Sequence, residues 1–182
     1  MRSPIRTGIF LCCTFLVLFC SSCEEKIKPA VIPGLESKNM PSQESWMSTI
    51  ALSDSGRLRA LITAGYIRKY ESPKITLFSE GVKIQFYDFR GKEGSIMTAQ
   101  DGRVDDLTNN ITAQGNVVVS SKDSTTLYTV QLFWDNRKEL IHTPEEVLIV
   151  SPTERINGKG FESDQSLKNY KIFQVSGTSK AR

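Results

Sequence analysis

Histidine occurs once in this 182-residue chain, at His142, and none of the four cysteines lies beyond position 23. Chemistry that needs converging His and Cys ligands, or a nucleophile beside a base, has no partners to draw on in the rest of the chain. His142 stands between Ile141 and Thr143 with Pro144 following, the place of an outward-facing strand residue. The pairs Asp105-Asp106 and Glu145-Glu146 are adjacent, so on a strand their carboxylates point to opposite faces and make no acid/base couple. They read as solvated turn residues. Gly158-Lys159-Gly160 lacks the spacing and the following helix of a phosphate loop and reads as a bend. Neither an enzyme, a cofactor nor a metal site is expected. Strong charge of one sign is also missing: the formal charge is +3, and it falls to +1 once Arg2 and Arg6 are removed with the N-terminal segment. That excludes a polyanion binder, so no nucleic-acid partner is expected.

Long apolar runs are absent with one short exception. Ile9 to Cys20, broken only by Thr14, is about a dozen residues, whereas a bilayer span needs about 20. Preceded by Arg2 and Arg6, it reads as the core of a secretory signal peptide over residues 1–22. Ser21-Ser22 then precede Cys23, and two small residues before a cysteine are what a lipoprotein signal peptidase requires. Cys23 is the expected lipidation site, although Cys20 occupies the position where Leu is commonest. Two or three acyl chains, at roughly 0.8 kcal/mol per buried methylene, hold a protein on a membrane without spanning it. The remaining cysteines, Cys12, Cys13 and Cys20, leave with the leader, so the mature domain has no disulfide and depends on its core.

Residues 23–45 contain Pro29, Pro33, Gly34 and Pro41 with few large apolar side chains and read as a tether. Whether Ser42 to Trp46 begins a helix or an extended lead-in stays open. Residues 46–178 form one domain by size, and 179–182 a tail. Val82, Ile84 and Phe86 alternate with Lys83, Gln85 and Tyr87, and Val117 and Val119 alternate with Asn116 and Ser120. Turn residues recur at 54–56, 90–92, 106–110, 122–124, 136–138 and at Asn157-Gly158. No amphipathic helical period survives these interruptions, so the domain is all-β.

A unit of about 30 residues repeats through the second half. Met97-Thr98-Ala99 falls on Leu127-Tyr128-Thr129, Asp105 on Asp135, Ile111 on Ile141, Ala113 on Thr143, Val117 on Val147 and Val119 on Ile149. A third copy, one residue shorter, carries Phe161, Asp164 and Tyr170 onto Leu132, Asp135 and Ile141, and a degenerate fourth overlies residues 60–86. Stacked units of alternating strands build a continuous apolar wall. Ile111, Ala113, Val117, Val119, Ile141, Thr143, Val147 and Ile149 belong to it, and Tyr128, Val130, Leu132 and Trp134 are expected to supply the opposing one. Ile75 and Leu77 fall out of parity with Val82 and Ile84, and an extra residue near Glu80-Gly81 is expected to return them to that face. The repeat ends at Tyr170 to Val175, whose outward backbone groups have no further unit to pair with. The strand holding Tyr170, Ile172, Phe173 and Val175 is therefore a candidate partner-docking edge.

Three stretches in this order carry a family resemblance. They are Gly115-Asn116-Val117-Val118-Val119 after Ile111 and Ala113, Leu127 to Asp135, and Arg155 to Asp164. Together with Gly81 to Asp88 and Gly91, they resemble the LptC family, membrane-attached periplasmic components of the lipopolysaccharide export machinery. The resemblance covers most of residues 55–178. It implies a β-jellyroll of two facing antiparallel sheets with an apolar interior that takes lipopolysaccharide acyl chains. Val82, Ile84, Phe86, Val117, Val119, Trp134, Val147 and Ile149 are the candidate lipid-binding positions. It further implies end-to-end docking with an inner-membrane lipopolysaccharide ABC transporter and with a periplasmic LptA-like bridging protein. The expected place is the periplasm, lipid-anchored, with the inner membrane preferred over the outer. A lipoprotein signal here replaces the family's N-terminal membrane helix. A second reading is a structural or surface β-repeat lipoprotein that serves as a scaffold for protein partners.

Overall fold

The computed structural model describes residues 40–88 and 90–180. The expected signal peptide over 1–22, Cys23 and most of the tether lie outside them. The described residues form ten strands: β1 (Gln43–Asp54), β2 (Arg57–Glu71), β3 (Lys74–Tyr87), β4 (Glu93–Ala99), β5 (Asp101–Asp105), β6 (Ile111–Ser120), β7 (Thr126–Asp135), β8 (Leu140–Val150), β9 (Glu154–Asp164) and β10 (Tyr170–Lys180). No helix is present among the described residues, so none is long and apolar enough to cross a membrane. The open question at Ser42 to Trp46 is answered by strand. β1 starts three residues before the expected domain boundary at 46, and β10 runs into the expected tail.

The strands pair antiparallel in the order β1-β2-β3-β4-β6-β7-β8-β9-β10, with β5 continuing β4 between β3 and β6 and not pairing with it. Register shifts interrupt the ladders in mid-strand, between Ala64 and Tyr66, Gln114 and Val117, Tyr128 and Phe133, and Thr143 and Glu146. Two of these irregularities carry adjacent left-handed residues, Glu80-Gly81 (φ 62° and 84°) and Gly115-Asn116 (φ 77° and 47°). Bulges bend the strands that contain them. Aligned across the ladder, they fold one hydrogen-bonded sheet into two facing walls. The first wall holds β4, the N-terminal halves of β2, β7 and β9 and the C-terminal halves of β1, β3, β6, β8 and β10. The second holds β5 and the other halves. Phe86 at the end of β3 meets Trp134 at the end of β7 with ring centroids 5.1 Å apart, which places the walls face to face.

The bulges also decide which residues face inward. On β6 and β8 the inward set keeps one parity through the irregularity, as expected: Ile111, Ala113, Val117 and Val119, then Ile141, Thr143, Val147 and Ile149, are all buried. On β7 the phase changes. Leu127 is buried beside Leu132 and Trp134, while Tyr128 and Val130 are 43% and 62% exposed, so the expectation that these two face the interior is corrected. On β3 the residues inside are Thr76 and Phe78, in step with Val82, Ile84 and Phe86, and not Ile75 and Leu77. The irregularity at Glu80-Gly81 exists, but the phase break falls on its neighbour β2, between Ala64 and Ile67.

Turns follow the expected punctuation with two exceptions. Glu145-Glu146, expected in a turn, lie within β8 at its mid-strand irregularity. Asn157-Gly158 and the Gly158-Lys159-Gly160 segment lie within β9, and the actual turn is Pro152-Thr153. Gly158 is required for another reason: a Cβ there would stand 2.6 Å from the Gln174 carbonyl oxygen and collide with Ile172 of β10. The repeated aspartates cap turns at the ends of their strands. Asp105 accepts the N–H groups of Leu107 and Thr108 at 3.0 and 2.9 Å, Asp135 that of Lys138 at 3.0 Å, and Asp164 that of Ser166 at 2.8 Å. For Asp105 and Asp135 the backbone hydrogen bonds from Thr108 and Lys138 are the main cause that holds the carboxyls below their usual range. At Asp164 partial burial pushes upward, and the bonds from Ser166, Asn169 and Lys168 outweigh it.

Candidate functional site

Two features are built by this fold: an apolar column between the walls, and a pair of unpaired sheet edges. The column contains all eight positions singled out from the sequence. Val82, Ile84 and Phe86 come from β3, Val117 and Val119 from β6, Trp134 from β7, and Val147 and Ile149 from β8, each between 0% and 4% exposed. Leu132, expected on the opposing wall, joins them in the same buried cluster, as do Leu127, Met97, Ile62 and Phe161, which were not among the candidate lipid-binding positions. The walls close on the column. The walls meet at their rims.

Those rims are the two rows of hairpin turns, which meet through polar groups. Arg59, only 6% exposed, pairs with Glu139 of the β7–β8 turn. The Ser95 hydroxyl donates to the Gln165 carbonyl of the β9–β10 turn. Asn136 Nδ2 donates to Asp54 Oδ2 at 3.4 Å. Arg59 Nε, Asn136 Oδ1, Ser163 Oγ and Gln165 Oε1 are buried in or beside this seam without a hydrogen-bond partner.

Among the described residues the sheet has an edge at each end, since there β1 pairs only with β2 and β10 only with β9. On β10, Phe173 and Val175 are 56% and 58% exposed, while Tyr170 and Ile172 pack against the core. Tyr170 stacks on Phe161 at 6.2 Å, and its hydroxyl donates to Glu154 at 3.3 Å. Tyr170 and Ile172 thus hold the strand while Phe173 and Val175 are presented outward. The second edge, β1, was not singled out from the sequence because its alternation is weak. Trp46, 63% exposed, stacks there on Tyr66 at 5.2 Å.

His142 is exposed on β8 and stacks on Phe133 at 5.4 Å. Among the described residues, no group of three His, Cys, Asp or Glu side chains could hold a metal ion.

A protein-family model described as lipopolysaccharide-assembly, LptC-related, matches residues 11–179. The chain belongs to the LptC family. A comparison with curated protein sequences found no match. Membership makes the chain a component of periplasmic lipopolysaccharide transport with the β-jellyroll of that family, and the LptC family is a transport family, not a family of enzymes.

Proposed function

We propose that this LptC-family chain takes lipopolysaccharide acyl chains into its column and passes them from the inner-membrane ABC transporter to an LptA-like bridging protein. Lipid at Cys23 would hold it to the membrane, and β10 would be continued by a strand of the bridge. The observation that carries this reading is the combination of a continuous apolar column, running through β3, β6, β7 and β8, with a sheet that ends in an unpaired strand. Acyl chains entering such a column would be favoured by roughly 25 cal/mol per Å² of apolar area removed from water. A strand with free backbone donors and acceptors invites strand addition. No catalytic group is required by either step.

The docking half is tested with Phe173→Pro, which removes one backbone donor and distorts β10. Binding of the purified full-length variant to the bridging protein should fall at least tenfold while its unfolding midpoint changes little. Unchanged affinity in a folded variant would show that β10 is not the docking edge. A pure scaffold lipoprotein would keep protein partners but bind no acylated glycolipid.

A further inference from the structure

We propose that the outer face of the first wall lies on the surface of an anionic phospholipid bilayer, an inference that rests on the lipid anchor at Cys23. Tyr128 and Val130 point to it, because β7 sits in the middle of the sheet and yet leaves them 43% and 62% exposed. Neither the column nor an edge uses them. Cross-strand register sets Tyr128 between Val118 and Leu148, both half-buried and outward. One outward row runs through these three residues from Thr49 on β1 to Gly177 on β10, and a second runs beside it from Ala51 to Ser179. Together the rows carry two charges, Lys83 and Arg155, and no carboxylate. Carboxylates return at the borders, among them Glu80 on the bend, Glu146 opposite Lys159, and Glu93 paired with Lys122. The outer face of the second wall is different. Its row through Phe133 carries Glu44, Arg68, Arg103, Glu162 and Lys171, charges of both signs.

Charge and chain length choose the occupant. A second copy packed on this face would bring its own cations to rows that hold no carboxylate to answer them. An anionic bilayer supplies phosphates to Lys83 on β3 and Arg155 on β9, which flank the apolar centre in strand order. Its interfacial layer also favours a tyrosine ring, apolar in body and polar at the tip. The chain before β1 permits the posture. Residues 24–42 separate Cys23 from Gln43, and at roughly 3.3 Å per extended residue they reach at most about 60 Å. Nine strands about 4.8 Å apart make a face about 40 Å wide, so an anchored domain can lie flat.

The test places the full-length lipidated protein on vesicles of phosphatidylethanolamine and phosphatidylglycerol, with a fluorophore on one introduced cysteine. Thr98→Cys and Val130→Cys report on the first face, Arg103→Cys and Glu162→Cys on the second, all at exposed positions. Phospholipid bearing a nitroxide just below its headgroup should quench the first pair about twofold or more over the second, and raised salt or Lys83→Gln/Arg155→Gln should shrink that contrast. Tyr128→Ser should shrink it too, with an unchanged circular dichroism spectrum. A photoreactive residue at Val118 or Leu148 should capture phospholipid rather than lipopolysaccharide. Equal quenching on both faces, or on neither while the protein floats with the vesicles, would overturn the bilayer contact and leave the anchor intact. First-face probes shielded from aqueous iodide but untouched by the lipid nitroxide would give the face to a protein partner and overturn it as well. Protein that fails to float would overturn the anchor reading together with this inference.

Discussion

Phe86 and Trp134 are the sharpest probe of how the two walls are joined. They lie on different walls, 0% and 2% exposed, with ring centroids 5.1 Å apart and an interplanar angle of 44°. Truncating either to Ala would cost about 3–5 kcal/mol, a large share of the 5–15 kcal/mol that stabilises a typical domain. Leu is therefore the better substitution, since it removes the ring and keeps most of the apolar bulk. Phe86→Leu and Trp134→Leu should each cost about 1–2 kcal/mol. A tilted aromatic pair contributes about 0.5–1.5 kcal/mol beyond the area it buries, so the double variant should cost less than the sum of the singles by that amount. Urea unfolding of the four proteins, followed by tryptophan and far-ultraviolet signals, measures the coupling. Additivity within about 0.3 kcal/mol would refute wall-to-wall packing through this pair.

Three further outcomes follow from the same structure. The carboxyls of Asp105, Asp135 and Asp164 are held below their usual range, so the stability they confer is present above the unfolded value near pH 4 and is lost as pH falls through the folded values. The penalty of Asp164→Ala, measured by urea unfolding, should accordingly be largest near neutral pH and shrink below about pH 4; a penalty independent of pH would contradict this. Gly158→Val places carbon against the Gln174 carbonyl and Ile172, so it should cost about 1–3 kcal/mol and raise amide exchange across β10 ahead of the other strands. Mass spectrometry of the mature protein should find an acylated Cys23 as the first residue, and recovery of an uncleaved N-terminus would contradict lipidation there.

The fold was legible where one parity persists along a strand. Val117, Val119, Val147 and Ile149 read as one face and are one face, and the 30-residue period marks successive strand pairs. Legibility failed where a bulge lies on one strand and its phase change on the next. Tyr128 and Val130 keep the parity of Trp134 in sequence, yet the register shift between Tyr128 and Phe133 turns them outward. Nothing within β7 marks that shift, because the left-handed pair Gly115-Asn116 belongs to β6. Asp105, Asp135 and Asp164 were visible as a repeat, but their capping role required the turns themselves. The seam was illegible altogether: Arg59 and Glu139, like Ser95 and Gln165, stand far apart in sequence, and only the folding of the sheet onto itself brings them together. Gly158, in a sequence that reads as a turn, serves instead the close approach of β10.

The central claim, that the buried column is a lipid path, is tested most directly by photo-crosslinking in cells. A photoreactive residue at Val119 or Ile149, 0% and 1% exposed, should capture lipopolysaccharide. The same residue at the neighbouring half-buried positions Val118 and Leu148, which are of opposite parity, should capture much less. Equal capture at both parities, or capture only at Val118 and Leu148, would contradict the account.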